Sequence, residues 1–135
     1  MTFRLFDAGS LERSSSAKNA DCQVRAFATA TGRKYKDAWE LLYFVQGEKR
    51  GCGFLLVESL NEADPRFNVI RKLSFKAKKG EERMTGKKFC ERYKKGRFIL
   101  RMANHVAAVK DGVLFDTSNS SFACVYCAWE VSSIS

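Results

Sequence analysis

The sequence predicts an α+β domain: N-terminal helices packed on a mostly antiparallel sheet. Three observations predict it. Apolar residues in the first half recur at helical spacing, the second half is a series of short strand-like runs, and an Asp111-Gly112 pair joins two of those runs as a tight hairpin. At 135 residues the chain has the size of one domain, residues 1–135, and its 45% hydrophobic content, with eleven Phe and two Trp, suffices for one core.

Taken in order, residues 2–6 suit a short edge strand, and the Ser-rich stretch 8–18 reads as a loop. A first helix is expected over 20–30. Asn19 can cap it, Gly32 can close it, and Val24, Phe27, Ala28 and Thr31 fall on one stripe. A second helix over 36–46 turns Ala38, Trp39, Leu42 and Val45 inward. The Gly-Cys-Gly at 51–53 breaks the chain, and 54–61 suits a short third helix ahead of Asp64-Pro65. Residues 67–77 read as a strand with a basic outer face. A further helix over 86–94 has Thr85 as its cap, Phe89, Cys90 and Tyr93 inward, and Gly96 as its stop. Strands follow at 97–102, at 105–116 folded as a hairpin on a type I′ turn, and at 122–131. Phe122, Tyr126 and Trp129 read as core and edge packing rather than as base-stacking platforms.

Charge and composition narrow the setting. No apolar run approaches the ~18 residues that span a membrane, and the N-terminus lacks the apolar stretch of a secretory signal. A cytoplasmic, reducing environment is therefore expected, in which Cys22, Cys52, Cys90, Cys124 and Cys127 need not pair. Fourteen Lys and Arg but only three acids fall between 66 and 101, a local excess of +11; the rest of the chain carries −2 of the net +9. Such a field suits an acidic protein, a nucleic acid or an anionic surface as partner, or simply a solvated face.

The chain has one histidine, His105. With a turn centred between 111 and 112, residue 105 sits nearly across from 118, and Asp116 is displaced by two from that place. Diagonal neighbours of this kind lie ~7–8 Å apart, within side-chain reach. The carboxylate can then accept a hydrogen bond from one ring nitrogen while the other meets a thiol. The thiol expected there is Cys22, about two residues into the first helix, since thiolates are favoured at helix N-termini and beside imidazolium. A Cys at a helix start, a His on a strand and an orienting Asp form the logic of covalent acyl transfer, with backbone N–H groups near the cysteine supplying part of an oxyanion hole.

The segments DCQVRAFATATGRKY and GRFILRMANHVAAVKDGVLFDTS resemble small papain-like cysteine peptidase domains of bacteriophages and bacteria, with a general likeness to bacteriocin-processing peptidase domains. The resemblance covers roughly residues 19–43 and 85–129. It implies Cys22 as nucleophile, His105 as base, Asp116 as the residue that orients the base, and a protein or peptide as substrate. The family usually places a Gln some residues before the Cys as a second oxyanion donor. Here Ser14, Ser15, Ser16, Lys18 and Asn19 stand in that stretch, so Asn19 is either the substitute donor or only the helix cap.

Two functions fit these residues. One is a cysteine hydrolase, a peptidase acting through an acyl-thiol intermediate. The other is a binding protein on the same scaffold, weak or inactive in catalysis, which uses the basic segment 66–101 to hold a nucleic acid or an acidic protein such as a host factor. No metal or cofactor is expected. Cys124 and Cys127 are spaced like half a zinc knuckle or a redox pair, but no second pair exists, and positions three apart on a strand face opposite sides and cannot chelate together without a bulge. The sequence GEKRGCGF lacks the Lys-Ser or Lys-Thr of a phosphate loop.

Overall fold

The structure, a computed structural model, describes residues 3–5, 21–46, 67–76, 80, 82–102, 105–116 and 119–134. Asn19, the Ser-rich stretch, Cys52 and the helix expected over 54–61 lie outside the described residues. Those described form strand β1 (Phe3–Leu5), helices α1 (Asp21–Thr31) and α2 (Tyr35–Gln46), strand β2 (Val69–Ser74), helix α3 (Gly86–Arg92), and strands β3 (Arg97–Met102), β4 (His105–Lys110), β5 (Val113–Asp116) and β6 (Val125–Val131). The six strands make one sheet in the order β1-β5-β4-β3-β6-β2, with β1 parallel to β5 and every other pair antiparallel.

Helix α1 is more deeply set than the expected stripe requires. Gln23, Val24 and all residues from Ala26 to Thr31 are buried. It lies between the sheet and α2, and Ala26, Ala28 and Ala30 are small enough to allow close approach on both sides. Its last carbonyls are satisfied from elsewhere in the fold: Arg97 Nη1 donates to Ala30 O (3.1 Å) and Ile134 N to Thr31 O (3.0 Å). Gly32, at φ +79°, takes the left-handed turn that ends the helix.

The expectation of helices on one side of the sheet holds for α1 and α2 but not for α3, which covers the opposite face. The central strands alternate accordingly. Ile99, Val106, Ala108, Cys127 and Trp129 join the α1–α2 core, while Phe98, Leu100, Met102, Ala107, Val109 and Ala128 join a second core under Phe89 and Cys90 of α3. Strands apolar on both faces need cover on both. Phe89 stacks on Tyr93 with ring centroids 4.5 Å apart and meets Phe98 edge-on at 4.9 Å. Thr85 caps α3 by accepting from Lys88 N at 3.2 Å.

Two strands are shorter than the sequence suggests. Strand β2, expected over 67–77, is confined to Val69–Ser74 and is an edge, with Arg71 and Lys72 both exposed. Strand β6 starts at Val125 rather than 122. Residues 121–124 turn instead, with Ala123 N donating to Ser120 O (3.0 Å), and the pairing with β3 jumps from Cys127 to Val125, leaving Tyr126 as the extra residue of a bulge. Trp129 is core, as expected, but Phe122 is 76% exposed and Tyr126 44%, so these two rings do not pack as the sequence suggested. Among the described residues no helix is long and apolar enough to cross a membrane.

Candidate active site

The β4–β5 hairpin is the local unit from which the site is built. Asp111 (φ +49°) and Gly112 (φ +78°) are both left-handed, as a type I′ turn demands. The Asp111 carboxylate accepts from Gly96 N (3.0 Å), so it serves the turn and not the site. The register pairs Lys110 with Val113, Val109 with Leu114 and Ala108 with Phe115. Asp116 therefore ends β5 two residues short of the place opposite His105, and the side chains close the gap: Nε2 of His105 donates to Oδ2 of Asp116 at 2.5 Å.

The Asp116 side chain is only 2% exposed. A buried carboxylate needs donors, and a second one arrives from the chain just downstream: Ser120 Oγ donates to the same Oδ2 at 2.6 Å. Ser120 is held in turn by its loop. Ser121 N donates to Asn119 Oδ1 (3.0 Å), Lys87 N to Ser121 O (2.7 Å) and Gly86 N to Ala123 O (3.2 Å), so the start of α3 clamps residues 119–123. Gly86 makes that clamp possible, since a Cβ there would sit 3.2 Å from Ser121 Cα and 3.3 Å from Ser121 O.

Cys22 comes from a distant part of the chain. It is the second residue of α1, and α1 packs chiefly across β4, with β3 and β5 beside it. This brings the helix start to the His105 end of β4. Two groups act on the same ring. His105 is raised from 6.5 to about 9, first by its hydrogen bond to Asp116, then by that to Cys22, against the opposing effect of burial, with the charges of both partners adding to the rise. Since Asp116 engages Nε2, Nδ1 is the ring nitrogen left for the thiol. His105 remains 25% exposed, so the ring is open to a substrate. As an early helical residue, Cys22 also has a backbone N–H with no acceptor within the helix, a donor available to a developing oxyanion.

The structure thus brings together Cys22, His105 and Asp116, and Asn19 lies outside the described residues. Sequence reasoning missed Ser120. The run DTSNSS after Asp116 offers several hydroxyls, and only the turn geometry selects one. Among the described residues no group of three or more His, Cys, Asp or Glu can hold a metal ion; Cys124 pairs with Thr85 ahead of β6, whereas Cys127 lies in the α1-side core. What the arrangement offers is a proton path from a thiol to an imidazole braced by a buried carboxylate. Comparison with protein-family models, curated proteins and solved structures returned no match for this chain.

Proposed function

We propose that the protein is a papain-like cysteine hydrolase, a peptidase, working through an acyl-thiol intermediate. One observation carries the reading: the only imidazole of the chain, hydrogen-bonded to a buried carboxylate, also engages a thiol at a helix start. An imidazole raised to about 9 is a base strong enough to hold a proton taken from sulfur. In the first step the Cys22 proton passes to His105 and sulfur attacks the scissile carbonyl carbon. The resulting oxyanion is met by the Cys22 N–H. The C–N bond then breaks, the leaving amine takes the proton from His105, and a thioester remains. Water, losing a proton to His105, attacks the thioester carbonyl, and the acid product departs as Cys22 regains its proton. Throughout, Asp116 keeps the ring in one tautomer and balances its charge.

A reducing cytoplasmic setting suits this chemistry, and among the described residues Cys22, Cys90, Cys124 and Cys127 form no disulfide with one another. If Asn19 is only the helix cap and does not replace the upstream Gln, turnover is slow, since losing one such donor costs ~10²–10³-fold in rate. The test uses a pool of unstructured peptides, with new N-termini counted by mass spectrometry. Cys22→Ala and His105→Ala should each abolish cleavage while the fold survives. Iodoacetamide should label Cys22 first near neutral pH, and that selectivity should vanish in His105→Ala; Cys90 is buried and pushed up to about 11, so it reacts slowly. Full cleavage by the Cys22 variant, or even labelling of several thiols, overturns the proposal.

A further inference from the structure

The cations of the basic segment are not equally available. Arg71 is bound to Glu130 at 2.6 Å, Lys88 to Glu82 at 2.8 Å, and Lys72 lies over the Trp129 ring at 5.3 Å. Lys76, Arg83 and Lys87 are exposed, and among the described residues none of them is paired with a carboxylate. Backbone hydrogen bonds bring these three to one place. Phe75 N donates to Tyr126 O (2.9 Å), which sets Lys76 beside Tyr126. Val125 N donates to Met84 O (2.9 Å), which sets Arg83 along the start of β6. Lys87 N donates to Ser121 O (2.7 Å), next to Phe122. All three cations therefore flank residues 121–126.

The same six residues carry Phe122 and Tyr126, the two exposed large aromatic rings among the described residues. Single apolar side chains on a surface are ordinary, but two rings on one short segment ringed by cations are not a scattered occurrence. Nor is the segment loosely attached. The clamp by α3 pins the backbone on both sides of Phe122, and Tyr126 is set out from the sheet by the bulge. The fold thus holds two flat apolar faces in water amid positive charge.

We infer that residues 121–126, with Lys76, Arg83 and Lys87, form a binding surface for single-stranded nucleic acid. The cations take the phosphates, and Phe122 and Tyr126 stack on unpaired bases. A duplex hides its base faces, and an acidic peptide has carboxylates but no regular series of flat rings. The surface borders the candidate active site through Ser120 yet uses neither Cys22 nor His105, so it stands apart from the hydrolase reading.

The test is fluorescence anisotropy of a labelled oligothymidine of about 12 nucleotides titrated with the full chain at several salt concentrations. With three phosphates neutralised, log K should fall against log salt with a slope of about −2, and Lys87→Gln should make it shallower by about 0.7. Phe122→Ala and Tyr126→Ala should each weaken binding about tenfold at every salt concentration and leave the slope unchanged; both side chains are exposed, and unchanged thermal melting shows that the fold is kept. Absence of binding at low salt, equal affinity for a duplex of the same length, equal competition by polyglutamate, or unaltered affinity in both aromatic variants overturns the inference.

Discussion

Replacing Asp116 by Asn probes the centre of the proposed site. The amide oxygen can still accept from His105 Nε2 and Ser120 Oγ, so the hydrogen bonds and the fold survive while the negative charge is lost. Asp116 is the first cause of the rise of His105 from 6.5 to about 9. Removing its charge should lower the ring toward 6.5, by less than the full rise because the hydrogen bond to Cys22 remains. The full rise from 6.5 to about 9 corresponds to about 3 kcal/mol of preference for the charged ring. The assay is direct because the chain has one histidine: the ring C–H resonances, followed by NMR against pH, report on this group alone. The wild type should titrate near 9 and the D116N variant clearly below it. The same linkage reaches stability. A folded-state pKa raised above the unfolded value stabilises fully below pH 6.5, and that contribution fades as pH rises through about 9. Urea midpoints of the wild type should therefore decline across this window, by up to about 3 kcal/mol in unfolding free energy, and those of D116N should decline much less. A wild-type ring titrating near 6.5, or one indifferent to D116N, refutes the electrostatic reasoning on which the mechanism rests.

Other consequences are testable in the same preparations. Ser120→Ala removes one donor from a buried carboxylate oxygen and should cost about 1–3 kcal/mol in urea unfolding at neutral pH, with Ser120→Thr restoring most of it. Peptide cleavage should fall in Ser120→Ala, by less than in Cys22→Ala. Gly86→Ala should destabilise the protein, although alanine normally gains about 1 kcal/mol over glycine within a helix. The new Cβ would press on the Ser121 backbone at 3.2–3.3 Å, and an over-packed contact of this kind costs about 1–3 kcal/mol. Because it would push the Ser120 loop away from α3, cleavage should drop with it. A Gly86→Ala variant more stable than the wild type in urea rules out the clamp.

The features the sequence determined by itself are the local ones. Asp111-Gly112 can adopt the left-handed pair of a type I′ turn, so the hairpin register, and with it the diagonal placing of His105 and Asp116, follows from a few consecutive residues. Thr85 and Gly32 mark helix boundaries for the same reason, since capping and positive φ depend on neighbours in sequence, whereas α3, expected to run to 94 and stop at Gly96, ends at Arg92 with Tyr93 as its cap. Tertiary structure decided everything that joins distant segments. Periodicity identified α1 as a helix, but only its packing across β4 brings Cys22 to His105. An apolar strand such as β3 states that both its faces are covered without saying by what, which is why α3 was expected on the wrong side. Ser120 is one of several hydroxyls until a turn aims it at Asp116. Phe122 and Tyr126 continue an apolar run in the sequence, and a turn and a one-residue bulge, set by pairing with β3 and with the segment before α3, turn both rings out to water.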